Sequence, residues 1–342
     1  MRHRFLVFDY LPELLLNIPV GLFKYFYTVL QNMGTVRHGV AGDPIGHSLS
    51  PVLCSIVHAH LSRIKGLKLP NLKGVAVIPT NGVENALAWG YAGDLPSPPD
   101  WDYVGSPLGK FRANTLLERA VNASLSITEP DERLPNASLK VAVTEKNHAY
   151  DDEVWLSLTS PLKHQLSAAA VRSQDNCMEI RSVNTMRWDG ISWSAASTDG
   201  LGVAMVADAF GFPSNGILGI VGGGGTARST AAAWSDLGGS IRQMGGKRLL
   251  DKDGPWKLNY GEPDLVIDFD KGEGDIIPTY TPMEGDYDSR IDHLVKVIDG
   301  RWLLCAQHLH SWAVLWAPEF ADKLPSLSLL MTRLVSVEVA LA

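Results

Sequence analysis

At 342 residues, with 45% hydrophobic and 20% charged residues, the chain holds more apolar material than one core usually spans, so two domains are expected. A net charge of −7 and the lack of any Lys/Arg-rich run exclude a nucleic-acid binder, while a small anionic substrate held by a local cluster of donors stays possible. Cys54, Cys177 and Cys305 are widely spaced, with no C-x-x-C, which excludes a disulfide framework or thiolate zinc site and fits a reducing, cytoplasmic compartment.

Residues 1–35 read as an extension. The run 11–30 is apolar, but Pro12, Glu13, Pro19 and Lys24 interrupt it, whereas a membrane span wants about 20 apolar residues with few charges. Asp9 also sits ahead of it, unlike the flank of a secretory signal. An untranslated stretch before a start at Met33 is favoured over an amphipathic segment or a membrane anchor, and no membrane partner is expected. The sequons at Asn122 and Asn136 are read as chance.

From Thr35 the pattern becomes regular. A short strand over 37–41 runs into the turn-rich G-D-P-I-G-H-S-L-S-P, and Pro51 opens a helix. A strand follows over 74–79, and 92–110, crowded with proline and glycine, reads as a surface loop. A helix over 113–122, a strand over 139–144 and a strand over 154–158 come next, the last ending in T-S-P-L-K. A periodic stretch covers 165–172. The second half starts with a helix over 202–210 and an apolar strand over 216–221. The glycine run 222–225 then enters an alanine-rich helix closed by glycines. Strands over 240–244 and 265–269 precede helical stretches over 302–316 and 326–341. Such alternation implies an α/β fold with parallel sheet and right-handed crossovers.

V-G-G-G-G-T-A-R (221–228) sits between strand and helix, where Gly222, Gly224 and Ala227 fit G-x-G-x-x-A. The first glycine permits the tight turn, the second lets backbone approach a pyrophosphate, and the small third residue lets helix and strand pack. Gly225, Thr226 and Ala227 would then offer the free amides of the helix N-terminus to phosphate. Arg228, a cation in the first turn, opposes the helix dipole unless an anion meets it. A solvated arginine is the equal alternative. Dinucleotide enzymes that use NAD usually carry an acid about 20 residues on. Here the stretch reads S-I-R-Q-M-G-G-K-R, and Arg242, Lys247 and Arg248 are candidates for a 2′-phosphate, which favours NADP. Lys247 and Arg248 could equally be exposed loop charges.

Four segments, H-S-L-S-P (47–51), L-T-S-P-L-K (158–163), S-V-N-T (182–185) and S-T-D-G-L-G (197–202), precede the glycine motif, and Q-H-L-H-S-W (307–312) follows it. In this order the set resembles the shikimate dehydrogenase family, from about residue 35 to 316. The resemblance implies an α/β substrate domain over 36–198, completed by C-terminal helices over 302–342, and a Rossmann-like NADP domain over 199–301. It implies Lys163 and Asp199 as the acid/base pair. By the same resemblance Ser48 and Ser50 bind a substrate carboxylate, and Thr159, Asn184 and Gln307 bond its ring hydroxyls. Three of these residues also have a plainer reading: Ser50 can cap the helix at Pro51, Asp199 the helix at Leu201, and Lys163 can be a surface lysine.

The implied activity is reversible reduction of 3-dehydroshikimate to shikimate with NADPH, in a monomer or homodimer. Alternatives are a quinate or amino-shikimate dehydrogenase, or a non-catalytic relative that binds shikimate and NADP. Three departures matter. Ser157 and Ser197 stand where the family more usually has asparagine, the segment 90–153 is longer than the family needs, and Asp268 is followed by F-D-K-G-E-G, with Lys271 near the place of the family's Y-x-P tyrosine. The H-x-H pairs His58/His60 and His308/His310 lie in helical stretches, where i and i+2 diverge, so no metal is expected.

Overall fold

The computed structural model describes residues 34–92, 114–146, 151–167 and 171–342. The extension up to residue 33, the surface loop beyond residue 92, and 168–170 of the periodic stretch lie outside the described residues.

Two sheets organise the chain. The first contains β1 (Thr35–Gly42), β2 (Asn71–Pro79), β3 (Asp152–Leu158), β4 (Arg172–Ser173), β5 (Thr185–Trp188) and β6 (Trp193–Ala196), in the order β2-β1-β3-β5-β6-β4. Thr35, counted above with the extension, is the first residue of β1. This strand runs parallel to both β2 and β3 and is buried along almost its whole length, as a strand covered on both faces must be. β5 and β6 form an antiparallel hairpin that the periodicity does not reveal. Its turn is Asp189-Gly190: Gly190 adopts φ +94°, and Asp189 Oδ1 accepts the N–H groups of Ile191 and Ser192, both at 2.8 Å. That is the chemistry by which D-G makes a hairpin.

Helices α1 (Ser50–Ser62), α2 (Val83–Ala92) and α3 (Asn114–Ser124) accompany this sheet. Two expectations fail here. No strand forms over 139–144; the stretch is largely exposed, with Lys140 reaching Asp208 at 3.2 Å and the Thr144 N–H donating to Pro318 O at 3.4 Å. Nor are residues 165–167 helical. After one 3₁₀ turn, Leu162–His164, the Gln165 side chain is drawn to another element: its Oε1 accepts the Val83 N–H at 2.9 Å and its Nε2 donates to Asn81 O at 2.8 Å. It thereby caps α2.

The second sheet contains β7 (Ile217–Val221), β8 (Ser240–Gly245), β9 (Leu265–Asp268) and β10 (Glu273–Gly274), ordered β10-β9-β7-β8. β7 is parallel to β8 and β9, and β10 is an antiparallel edge. α4 (Asp199–Ala209) leads into this sheet, and α5 (Gly225–Asp236) joins β7 to β8. Between β8 and β9 the chain has no helix; instead Leu258 bridges Ile241 beyond β8. α6 (Tyr287–Lys296) is an addition to the expected elements. The expected helix over 302–316 is α7 (Gly300–Ser311) followed by a π-helical turn, Trp312–Trp316. The final helix, α8 (Leu327–Leu341), packs against α1 and α3 of the first sheet.

Most of the described tryptophans lie in the core. Trp155 stacks on Trp316 with ring centroids 5.6 Å apart and meets Trp312 edge-on at 4.8 Å, and Trp316 Nε1 donates to Met186 O at 3.0 Å. The two sheets meet where α4 presses on α5. At Gly200 an added Cβ would fall 2.1 Å from Ser229 O, so the contact exists only because that residue lacks a side chain. Gly200→Ala should therefore lower unfolding stability by about 1–3 kcal/mol through overpacking, read as a lower urea midpoint. An unaltered midpoint would show that α4 and α5 have room to part.

Candidate functional site

At the C-terminal ends of β1 and β3 lies a cavity of about 300 Å³. The turn after β1 brings Ser48 and Ser50 to it, the turn after β3 brings Thr159 and Lys163, α4 brings Asp199, and α7 brings Gln307. Of the seven residues assigned above to acid/base or substrate roles, six line it. Ser50 does not cap α1, whose N-cap is Leu49 without any side-chain bond; the Ser50 N–H donates to Ser48 Oγ at 3.2 Å. Gln307 can face the same space as Asp199 because α7 crosses α4 closely at Gly202, where a Cβ would lie 2.9 Å from Gln307 N.

Lys163 Nζ donates to Asp199 Oδ2 in a short ion pair. The side chains are 14% and 4% exposed, so each ion is screened from water and depends on the other. Lys163 Nζ also donates to Thr226 Oγ1 at 3.0 Å, and that hydroxyl lies 3.2 Å from Asp199 Oδ2. Asp199 is thus not a mere helix cap, nor Lys163 a surface lysine.

A second cavity, of about 280 Å³, adjoins the first and shares Thr159, Lys163, Thr226, Pro278 and Thr279 with it. Its other walls include Gly224, Gly225, Ala227, Arg248 and Asp270. Gly222 makes the turn that carries β7 into α5, with φ +102°. Beside Gly224 nothing lies within 4 Å of a built Cβ, so backbone faces open space. α5 has no side-chain cap, leaving first-turn amides for an anion. A dinucleotide's phosphates fit these features.

Four assigned residues stand elsewhere. Arg242, on β8, lines neither cavity and pairs with Glu262 at 2.9 Å. Asn184 is fully buried and does not line the cavity. Its Oδ1 accepts the Thr198 N–H at 2.6 Å and its Nδ2 donates to Thr198 Oγ1 at 2.9 Å, so the amide secures the link between β6 and α4 just before Asp199. Arg228 lines neither cavity and is half-buried rather than free in solvent. Its guanidinium donates to the carbonyls of Ile180 (2.7 Å), Gly223 (3.1 Å) and Arg181 (2.5 Å), clamping α5 to the segment before β5. Burial, then the charges of Arg248 and Arg181, hold it below the usual arginine range. Lys247 is exposed and lines neither cavity; its backbone N–H donates to Asp270.

One wall residue escaped the motif reading. Tyr280 lines the first cavity, its Oη accepting the Leu49 N–H at 3.1 Å and lying 3.4 Å from His47 O. Loss of hydration pushes the phenol up to about 12. The signal was Y-T-P (280–282), a Y-x-P displaced from Asp268 by the β10 excursion. Behind Tyr280, Arg301 lies 5.3 Å from its ring and pairs with Asp299 at 2.7 Å and Glu338 at 3.1 Å. This buried cluster joins α7, α8 and the Tyr280 loop, since Arg301 Nη2 also donates to Thr281 O at 2.6 Å. Ser157 also lines the cavity, its Oγ 3.2 Å from His38 Nε2.

Among the described residues no group of three or more His, Cys, Asp or Glu side chains is placed to hold a metal ion. His58 and His60 instead bond the separate carbonyls of Pro70 (2.8 Å) and Lys323 (3.1 Å). No helix among the described residues is long and apolar enough to cross a membrane.

No protein-family model and no curated protein sequence matches the chain. Solved structures do. The chain is similar to shikimate dehydrogenases. One from Thermus thermophilus, in complex with NADP(H) and shikimate, matches at 16% identity and TM-score 0.49, covering 87% of this chain and 98% of that one. The Mycobacterium tuberculosis shikimate dehydrogenase matches at 18% identity and TM-score 0.49 over the same shares. That of Aquifex aeolicus matches at 14% identity and TM-score 0.46, covering 87% and 97%.

On α7, burial lowers His308 to about 3 and His310 to about 4, against about 6.5 in an unfolded chain. The unfolded form therefore binds more protons below pH 6.5, so stability is full above that value and falls as pH drops toward 4. Urea midpoints should decline through this window. His308→Gln should flatten the slope by about 1.4 kcal/mol per pH unit, and an unchanged slope would mean that His308 is protonated in the fold.

Proposed function

We propose that this chain is a cytosolic NADP-dependent dehydrogenase of the shikimate dehydrogenase type, reversibly reducing 3-dehydroshikimate to shikimate. The single observation that carries the reading is the position of the Lys163–Asp199 pair on the seam between the two cavities. One is walled by hydroxyls and an amide, the other by an uncapped helix end and Arg248. A reaction that moves a hydride needs its reacting carbon between two such spaces. When bound, NADPH supplies the hydride. Lys163 Nζ gives a proton to the ketone oxygen as negative charge develops there. Asp199 holds the ammonium in place and bears the negative charge that the pair retains once the proton has left.

Ser48 and Ser50 would donate to the substrate carboxylate, and Thr159, Gln307 and Tyr280 would bond ring hydroxyls. Gly224, Gly225, Thr226 and Ala227 would face the pyrophosphate and Arg248 the 2′-phosphate, with Lys247 near by. The end of β8, Met244–Gly245–Gly246, offers no carboxylate for a ribose diol, which supports NADP over NAD. In this reading residues 36–198 with 302–342 form the substrate domain and 199–301 the nucleotide domain. A second reading, a quinate or amino-shikimate dehydrogenase, draws on Ser157, whose short side chain leaves more room in the cavity than asparagine would.

Shikimate with NADP should raise nicotinamide absorbance, and faster turnover of quinate would select the second reading. Lys163→Ala should lower kcat by about 100-fold or more with NADPH affinity nearly intact; undiminished turnover would remove the acid/base role. Arg248→Gln should raise KM for NADP about tenfold, the worth of one charge-assisted bond, and leave KM for NAD unchanged. An equal effect on both cofactors would place Arg248 away from the 2′-phosphate.

A further inference from the structure

Thr226 occupies a position that the glycine fingerprint leaves free, yet its hydroxyl is fully used. It accepts from Lys163 Nζ at 3.0 Å and donates to Asp199 Oδ2 at 3.2 Å, which exhausts the single proton of a threonine hydroxyl. Ser229, three residues on and so on the same helix face, holds the other side of the same turn. Its Oγ takes the Gly200 N–H at 2.9 Å and the Ser197 hydroxyl at 2.8 Å. Helix α5 therefore grips the first turn of α4 at two points, once on the Asp199 carboxylate and once on the backbone beside it. Ser197, one of the departures noted in the sequence, is the partner that this second grip needs. Gly225 completes the contact: a Cβ there would stand 3.2 Å from Lys163 Cβ and 3.3 Å from its Cδ, so the lysine stem lies directly on the glycine turn.

We propose that Thr226 is a positioning residue that ties the Lys163–Asp199 pair to the glycine turn, so that the pair is held in register with whatever the turn binds. The hydroxyl sits on the residue that also presents a first-turn amide to the second cavity. Anything that moves the start of α5 must then move the proton-carrying pair with it. The turnover readout rests on the dehydrogenase reading above; the titration of Lys163 does not.

The test compares Thr226→Val, which keeps the shape and removes the hydroxyl, with Thr226→Ser, which restores it. Lysine labelled at the ε-carbon, assigned by the signal lost in Lys163→Arg, reports the protonation of Lys163 in the full chain. In Thr226→Val the Lys163 titration midpoint should fall by about one pH unit, the scale of a lost hydrogen bond to a charged group. Turnover should fall about tenfold, its pH profile moving with the midpoint, and KM for NADP should change little. Thr226→Ser should recover both values. Thr226→Ala carries the same test if the valine variant does not fold. A Lys163 midpoint that is the same in wild type and in every hydroxyl-less variant overturns the proposal, as does a serine variant that behaves like valine. Absence of turnover in the wild type counts against the dehydrogenase reading alone, and the titration then decides for or against Thr226.

Discussion

A charge pair removed from water sets the terms for everything around it. An ammonium and a carboxylate held away from solvent are costly unless each finds the other and their remaining bonding capacity is met. Here the two ions come from a turn after β3 and from the first residue of α4, 36 positions apart in the chain. Their meeting requires the first sheet to present Lys163, Asn184 to secure Thr198, and glycines at 200 and 225 to let three segments close on one point. Among the described residues neither partner makes a second ion pair within 4 Å.

Around that point the hydrogen bonds divide into those turned inward and those left for a ligand. Asn184, Arg228 and Ser229 have spent their donors and acceptors on backbone or on neighbouring hydroxyls. Gln307, Thr159 and the first turn of α5 face cavity space. Tyr280 does both, fastening the loop at Leu49 while walling the cavity, with the Asp299–Arg301–Glu338 cluster behind it. Precision at the site thus draws on residues behind the walls as well as on those that form them.

The parts legible in the sequence were those set by local chemistry. Strand, glycine turn and alanine-rich helix at 217–236 follow from residues within a few positions of one another, and so do the S-L-S-P and T-S-P-L-K turns. Long-range partners were not legible. Asn184 has the right chemistry for a ring hydroxyl, and only the fold shows that Thr198 takes its amide. Arg228 looked electrostatically misplaced at a helix N-terminus until two carbonyls of one distant segment, and a third from its own glycine turn, came to meet it. The 165–172 stretch has helical spacing, but Gln165 is worth more as a cap for α2. The β5–β6 hairpin was within reach, since Asp189-Gly190 announces it, but short strands rich in tryptophan carry little alternation to read. Tyr280 hid because its tripeptide lies past β10, further along than the strand end where it was sought.

The return of the last helix to the first sheet has a consequence for how the molecule comes into being. α8 packs on α1 and α3, elements laid down more than 200 residues before it. During synthesis the earlier sheet emerges with that flank open, while the glycine-turn sheet has all its strands once residue 274 is made. The later-made half can therefore consolidate before the earlier-made half, reversing the usual front-to-back order of domain folding on the ribosome. Until α8 docks, the nascent chain exposes apolar surface on the earlier sheet, the window in which a chaperone would find it.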